Sequence, residues 1–262
     1  MTPLSAHASL SLSQLLAIVE HTKLAFNVGD NETALITQLC HEAMTHGFAT
    51  VCVRPAHAEL ARTMLGNSPV LLAGVVGFPE KPISRAFHAE YPVIGAVNST
   101  TKFQEIASLQ MAGADELDVV MNVAFFKTDV ETGGSFTESE LLGLVGCAGD
   151  MPIKLILETD LLTHEEVVQA TLLAAKCGVA WVKTSTGFIT DGVGATVETV
   201  ALMRRTLDEA GYTQVGVKAS GGIATLAQAE ALVQAGANRL GTSRALQWLA
   251  SSNSPTETQG VY

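Results

Sequence analysis

Three charged residues stand in short apolar runs of the kind that form buried strands. Lys183 follows Trp181-Val182, Lys218 follows Val215-Gly216-Val217, and Asp118 lies in Glu116-Leu117-Asp118-Val119-Val120. A buried charge is unfavourable unless it is paired or used chemically. Burial and a neighbouring cation both lower the pKa of a lysine, and an unprotonated amine attacks carbonyl carbon. The pattern therefore predicts imine chemistry, with Lys183 as nucleophile, Lys218 as the cation that lowers its pKa, and Asp118 in the proton relay.

A purely structural interpretation of the same residues remains open. In it the charges are ion pairs that fill the core, Asp118 with Lys218 and Glu158 with Lys154. The segments that follow the lysines favour catalysis instead, because they are turns of small hydroxyl residues and glycine.

Three such turns indicate a phosphate site. They are Thr186-Gly187, Ser220-Gly221-Gly222 and Gly241-Thr242-Ser243, and each follows a strand-like run. Glycine lets backbone N–H groups approach a phosphate closely, and a helix that begins at Ser243 would present its N-terminus to an anion. One glycine turn alone is weak evidence, whereas three at one end of a fold are a stronger indication.

The order of helices and strands predicts the fold. Seven strand–helix units are clear, and Ile18 to Thr22 supplies an eighth strand. Regular alternation indicates a parallel sheet, and eight units indicate a closed (β/α)8 TIM barrel. We expect one α/β domain over residues 1–262, with its core at about 18–250, an extra N-terminal helix from Leu10 to Val19, and a mobile tail over 251–262. An open doubly wound sheet is the alternative, but no GxGxxG follows an early strand.

The barrel would gather the candidate residues at one place. Asp118 falls on strand 4, Lys183 on strand 6 and Lys218 on strand 7. Both lysines stand near the carboxyl ends of their strands, where barrel enzymes carry their active sites. Strand residues alternate between interior and exterior, so all three side chains can point inward.

Composition narrows the class of partner. The 262 residues carry a formal net charge of −11, which argues against nucleic acid and anionic membranes. No apolar run reaches the roughly 20 residues of a membrane span, and no signal-peptide pattern opens the chain, so we expect a cytoplasmic protein. Four cysteines form no metal or redox spacing, and the seven histidines form no HExxH pair. We expect neither a metal nor a cofactor. The sequence leaves the oligomeric state open, with a homodimer as the candidate.

Six segments resemble the motifs of the deoxyribose-phosphate aldolase family, which are class I aldolases. The similarity runs from about Ile18 to Leu249. The segments are Val75 to Pro79, Glu116 to Val120, Leu155 to Thr159, Val182 to Phe188, Val217 to Ile223 and Arg239 to Ser243. One departure is Glu20, which stands where the family usually has aspartate before His21-Thr22.

The resemblance implies reversible cleavage of 2-deoxy-D-ribose 5-phosphate to D-glyceraldehyde 3-phosphate and acetaldehyde. It implies the imine on Lys183, a perturbing role for Lys218 and a relay role for Asp118. Some members of the family end in a tyrosine that helps to move the proton, and Tyr262 would match it.

The resemblance also implies a set of residues that contact substrate or its phosphate. They are Thr22, Thr186, Gly187, Gly221, Gly222 and Ser243.

Three other functions are compatible with the sequence alone. The first is another Schiff-base aldolase or transaldolase that acts on a different sugar phosphate. The second is a barrel isomerase or epimerase, which needs the phosphate turns but no imine. The third is a binding protein that senses a sugar phosphate without turning it over.

Overall fold

A computed structural model describes residues 10–252 of the chain, and it contains a closed barrel of eight parallel strands in sequential order. The predicted (β/α)8 fold is thereby confirmed, including the eighth strand before Lys23. The strands are β1 Val19–Thr22, β2 Thr50–Val53, β3 Leu71–Val76, β4 Glu116–Val120, β5 Ile153–Ile156, β6 Trp181–Lys183, β7 Gly216–Ser220 and β8 Arg239–Thr242.

Helices connect the strands, and most of them pack on the outside of the barrel. They are α1 Leu12–Leu16, α2 Glu32–His46, α3 Ala58–Leu65, α4 Arg85–Glu90, α5 Ser99–Met111, α6 Val123–Thr132, α7 Phe136–Ala148, α8 His164–Lys176, α9 Val197–Glu209, α10 Leu226–Gln234 and α11 Ala245–Ser252. Two short 3-10 turns occupy Pro55–His57 and Thr159–Leu161.

Local sequence signals explain where several helices begin. Thr163 and Glu166 form a reciprocal capping box at α8, and Thr225 and Gln228 form one at α10; in both, Thr is followed three residues later by Glu or Gln, the usual sequence signal for a capping box. For α2 the capping residue is Asn31, whose side chain accepts the N–H of Ala34. The preceding residue, Asp30, accepts the N–H of Asn27, which closes the turn before the helix.

Other differences from the sequence prediction concern short helices. The N-terminal helix is only Leu12–Leu16, because the chain enters β1 at Val19. Helices α4 and α6 are not predicted by the sequence. Each buries too few side chains to leave an apolar period, only His88 in α4 and only Val123 and Phe126 in α6.

The register of the strands separates two environments. Outward-facing residues such as Leu72, Leu117 and Leu155 are fully buried under the helices and form the apolar core. On the inner face, Lys183 pairs in register with Lys218, and Asp118 pairs with Lys154. The apolar core therefore surrounds a charged interior.

None of the helices in the described part of the chain is long and apolar enough to span a membrane. Residues 1–9 and 253–262, with Tyr262 among them, lie outside the described residues.

Gly74 on β3 lets α5 approach the sheet. A β-carbon at Gly74 would overlap the side chain of Leu109, which is fully buried on α5. We expect Gly74→Ala to lower the free energy of unfolding by about 1–3 kcal/mol, because the core has no room for the methyl group. Urea titration measures the change.

Gly146 on α7 is the matched control. No atom lies within 4 Å of a β-carbon built there. Alanine is favoured over glycine inside a helix by up to about 1 kcal/mol. Gly146→Ala should therefore be neutral or stabilising, and equal losses in the two variants would contradict the packing argument.

Candidate active site

The structure brings Asp118, Lys183 and Lys218 into direct contact inside the barrel. One oxygen of Asp118, Oδ2, lies 2.7 Å from Lys183 Nζ and 2.6 Å from Lys218 Nζ. Its other oxygen, Oδ1, lies 3.2 Å from Lys154 Nζ. A single buried carboxylate thus binds three ammonium groups that come from three consecutive strands.

The cluster extends to Glu20 on strand β1, across the barrel interior. Glu20 Oε1 lies 2.9 Å from Lys154 Nζ, and Glu20 Oε2 contacts Lys218 Nζ. Sequence analysis noted Glu20 only as a departure from a family motif, although strand alternation in Glu20-His21-Thr22 places it inward. His21 points outward and binds Glu42 of α2, at 2.8 Å between Nε2 and Oε2.

A lower layer of charges completes the cluster. Glu116 Oε2 lies 2.6 Å from Lys154 Nζ, and Glu116 Oε1 lies 3.1 Å from Arg239 Nη2. The cluster has one more cation than carboxylates. The cations are Lys154, Lys183, Lys218 and Arg239, and the carboxylates are Glu20, Glu116 and Asp118.

Burial and these partners act in opposite directions on each pKa. Burial alone would raise the pKa of Asp118, but Lys154, Lys183 and Lys218 hold it well below its usual value. For Lys218, burial outweighs the two carboxylates, so its pKa is lowered. The excess cation and this lowered pKa mean that one lysine of the cluster gives up its proton more readily than a lysine in water.

The pKa of Lys183 shifts in the direction opposite to the one that sequence analysis expected. Burial lowers it, but the direct contact with Asp118 more than offsets burial, and the pKa is raised. The sequence could not show that Asp118 touches both lysines. Because the two amines share one carboxylate oxygen, they titrate as a pair.

Glu20, Cys52 and Asp118 also lie close enough together to suggest a metal site, with ligand atoms within 4.8 Å of one another. Their chemistry does not favour one. Lysine ammonium groups contact both carboxylates. Burial, assisted by Asp118, raises the pKa of the Cys52 thiol to about 12, which disfavours a thiolate ligand.

A cavity of about 320 Å³ opens above the cluster at the carboxyl ends of the strands. Lys183 lies in its floor and is 4% exposed, whereas Lys218 is fully buried beneath. All the substrate-contacting residues that the family resemblance implied line this cavity, namely Thr22, Thr186, Gly187, Gly221, Gly222 and Ser243. Arg244 lines it as well.

The rim of the cavity offers free hydrogen-bond donors. Within residues 10–252, the N–H groups of Gly187, Gly221, Gly222 and Ser243 donate to no other group. The φ angles of Gly187, Gly221 and Gly222 are +77°, +87° and +74°, a region that glycine enters without a steric penalty. The predicted turns thus converge on one concave surface lined by donors. Ser243 itself precedes the helix, which begins at Ala245.

Side chains at the ends of β6 and β7 hold two of these turns together. Thr184 Oγ1 donates to the carbonyl of Ser220 at 2.8 Å and accepts its N–H at 3.0 Å. Ser220 Oγ donates to the carbonyl of Ser185 at 2.5 Å. Sequence analysis assigned no role to Thr184 or Ser185, because their positions in hydroxyl-rich turns do not reveal which strand they bridge.

The ion pair between Glu158 and Lys154 that the purely structural interpretation requires is not formed. Lys154 is occupied by Glu20, Glu116 and Asp118, and Glu158 turns to Thr186 instead. The reason is the backbone, which leaves β5 after Ile156 and takes a left-handed conformation at Glu158, with φ +57° and ψ +63°. Tyr262, the remaining candidate, lies outside the described residues.

Comparison with known proteins places this site in a family. The deoxyribose-phosphate aldolase of Thermoanaerobacter sp. (strain X514) is 39% identical over 226 residues, which cover 86% of this chain and 91% of that protein. Deoxyribose-phosphate aldolase 1 of Cutibacterium acnes is 39% identical over 229 residues, covering 87% and 94%. No protein-family model matches the chain.

Solved structures agree with the sequence relatives. The deoxyribose-phosphate aldolase of Aeropyrum pernix, a tetramer, superposes with a TM-score of 0.76 at 27% identity and covers 93% of both chains. Fold, site and relatives together define the chain as a (β/α)8-barrel enzyme of the lyase class. It belongs to the deoxyribose-phosphate aldolase family.

Lys154 should be essential for stability, because it neutralises buried carboxylates from β1 and β4. Its side chain is fully buried, and Lys154→Met would remove the ammonium group that lies 2.9 Å from Glu20 Oε1 and 2.6 Å from Glu116 Oε2. We expect a loss of about 3–5 kcal/mol in the free energy of unfolding, the range for breaking a buried ion pair. Urea titration at neutral pH measures it.

Lys127 on α6 provides the comparison. It pairs with Glu166 at 2.9 Å, but its side chain is 38% exposed. Lys127→Met should cost no more than about 1 kcal/mol. A loss for Lys154→Met as small as that would show that the remaining cations of the cluster satisfy the buried carboxylates without Lys154.

Proposed function

We propose that the chain cleaves 2-deoxy-D-ribose 5-phosphate reversibly to D-glyceraldehyde 3-phosphate and acetaldehyde, through a Schiff base on Lys183. The observation that carries the proposal is the position of Lys183. Its amine lies in the floor of a cavity rimmed by free N–H groups, while its contact Asp118 is sealed below. The family relation supports the same substrate class.

The chemistry begins with attack of Lys183 Nζ on C1 of the open-chain sugar. The carbinolamine loses water to give the imine, and the C3 hydroxyl loses its proton as the C2–C3 bond breaks. The bond electrons pass into the imine as an enamine, and D-glyceraldehyde 3-phosphate leaves. Protonation of the enamine at C2 and hydrolysis of the imine then release acetaldehyde and restore the free amine.

The shared oxygen of Asp118 supplies a route for the first proton. Lys218 is the lysine whose pKa is lowered, so it is the one that the cluster holds neutral more easily. A neutral Lys218 can accept the proton of Lys183 across Asp118 Oδ2, which touches both amines. The result is a neutral Lys183 and a charged Lys218. That ammonium then disfavours a second charge on Lys183, which is the role that sequence analysis assigned to Lys218.

Phosphate recognition is assigned to the rim. Gly187, Gly221, Gly222 and Ser243 line one concave surface, and their N–H groups donate to no described residue. Backbone donors of this kind bind phosphate without a cluster of cations. Such a site suits a protein with a net charge of −11. Among the described residues, Arg244 and Lys23 add two cationic side chains to the lining of the cavity.

For the setting of the enzyme we propose the cytoplasm, with sugar phosphate and small aldehydes as the partners and a homodimer as the assembly. Exposed aromatic pairs support self-association. Phe87 and Tyr91 lie 5.3 Å apart between ring centroids, and Phe125 and Phe136 lie 5.9 Å apart. Exposed apolar surface of this kind is often covered by a partner. Light scattering measures the mass in solution.

Borohydride reduction in the presence of acetaldehyde should trap a stable secondary amine on Lys183. Peptide mass mapping locates the adduct. Lys183→Leu should form no adduct and should lose turnover of the sugar phosphate, because Lys183 is the lysine of the buried cluster that lines the cavity. Lys23 also lines the cavity, but its Nζ lies over the ring of Phe26, 5.2 Å from the ring centroid. Retained turnover in Lys183→Leu would refute the imine mechanism.

The same trapping experiment separates the remaining functions. An adduct on Lys218 would exchange the roles of the two lysines. Binding of the sugar phosphate without any adduct would favour an isomerase or a sensor.

Lys218→Leu should move the pH dependence of the reaction. Without Lys218, Asp118 has only Lys183 and Lys154 as lysine partners, so the pKa of Lys183 rises further. Attack needs the free amine. The rising limb of log(kcat/KM) against pH should therefore shift to higher pH, and kcat at neutral pH should fall at least ~100-fold, the lower range for a lost acid–base group. A rising limb at the wild-type position would contradict this role.

A further inference from the structure

Glu158 is a buried acid that the proposed chemistry leaves unused. It follows β5, its side chain is fully buried, and it makes no contact with the ammonium groups of the cluster. Among the described residues it is also the one non-glycine with a positive φ. Residues held in this left-handed region persist where the surrounding structure fixes them, and they concentrate at functional sites.

The left-handed conformation decides where the carboxyl group points. Continued strand geometry would place residue 158 on the same face as Lys154, towards the charged interior. The turn redirects the side chain across to the loop after β6. There the N–H of Thr186 donates to both carboxyl oxygens at 3.2 and 3.3 Å, and the Thr186 hydroxyl donates to Oε2 at 2.5 Å.

Thr186 passes this constraint along the turn. Its Oγ1 accepts the N–H of Phe188 at 3.0 Å, so the residues on both sides of Gly187 are fixed. The N–H of Gly187 lies between these two bonds and donates to no described residue. The bonds to Glu158 therefore hold the peptide that presents a free donor to the cavity.

The turn that carries Glu158 also fixes a second part of the loop after β6, through Asp160. Asp160 accepts the N–H groups of Val193 and Gly194 at 2.8 and 2.9 Å. Gly194 packs so closely against Gly221 that a β-carbon at 194 would overlap the Gly221 carbonyl. Glu158 and Asp160 thus place two loops of the rim from one short turn.

We propose that Glu158 is a positioning residue for recognition of the substrate's phosphate, acting through the Thr186-Gly187 turn and not on the chemistry at Lys183. This inference rests on the proposed function, because it takes the rim of the cavity as the phosphate site. It adds a residue that touches neither the substrate nor the reacting amine.

The charge state of Glu158 is compatible with an anion nearby. Burial raises its pKa to about 7, assisted by Asp160 and opposed by the hydrogen bonds from Thr186 and by Lys183. Near neutral pH a large share of the carboxyl groups is therefore protonated, which limits repulsion of a phosphate. A neutral amide of the same shape should serve equally well.

The test compares two substrates, 2-deoxyribose 5-phosphate and 2-deoxyribose, in the full-length protein. Glu158→Gly removes the carboxyl group and suits the left-handed backbone, so it separates the side chain from backbone strain. We expect KM for the phosphorylated substrate to rise about tenfold, since a misplacement of about 1 Å can cost up to ~100-fold. Turnover of 2-deoxyribose should stay at the wild-type level.

Glu158→Gln is the matched control. It keeps an acceptor oxygen for Thr186 and should bind the phosphorylated substrate like the wild type. If Glu158→Gly does not fold, Glu158→Asn replaces it, because asparagine tolerates the left-handed region but is too short to reach Thr186. Equal losses on both substrates, or no loss on the phosphorylated one, would overturn the proposal.

A double-mutant cycle checks the route through Thr186. Thr186→Val removes the hydroxyl that bonds to Glu158, so its effect and that of Glu158→Gly should overlap in the combined variant. If the increases in KM caused by the two single substitutions multiply in the double variant, Glu158 does not act through Thr186. A wild type without preference for the phosphorylated sugar, or without an adduct on Lys183, would overturn the proposed function itself, and both are measured before any variant is made.

Discussion

The structure depends on the ion pairs that the buried carboxylate of Asp118 forms with three lysines. Its partners come from β5, β6 and β7, and Glu20 from β1 binds two of the same lysines. A charge without water needs such partners, since its desolvation is otherwise uncompensated. Strand register is set accordingly, because a shift of one residue would turn an inward lysine into the apolar layer beneath the helices.

The charged residues of the cluster lie at different depths below the cavity, and their roles differ with depth. At the bottom, Arg239 joins Glu116 and lies over the ring of Trp181, with 5.3 Å from its guanidinium carbon to the ring centroid. In the middle, Lys154 and Lys218 are fully buried. Lys183 alone of the three lysines lines the cavity. Lys183 therefore differs from the other two lysines by its position above a sealed charged layer, and this position is the basis for proposing it as the amine that attacks the substrate.

Sequence patterns predict the features that depend on residues close together in the chain. The eight strands, the caps at Thr163 and Thr225 and the glycine turns follow from periodicity and local chemistry, and strand alternation places Asp118, Lys183 and Lys218 inward. Three features depend on contacts between distant segments and are missed. One oxygen of Asp118 serves two lysines, Glu20 joins the cluster from the far end of the chain, and Glu158 leaves the strand direction. The left-handed turn at Glu158 has no signal in its residue type, because glutamate has no preference for that conformation.

Under the proposed function, the N–H donors at the rim of the cavity would allow an acidic protein to recognise a phosphorylated sugar. Its net charge of −11 repels anions at long range, but that field is screened within about 8–10 Å at moderate salt. At contact distance, donors fixed in place determine binding, because preorganised N–H groups need no reorganisation when the anion arrives. Thr184 and Ser220 tie two of the turns to strand ends, and Glu158 ties Thr186 to the turn after β5. Since those strands also carry Lys183 and Lys218, the distance between the Lys183 amine and the rim is set by the barrel itself. In the proposed reaction, one rigid sheet would therefore position both ends of the five-carbon substrate.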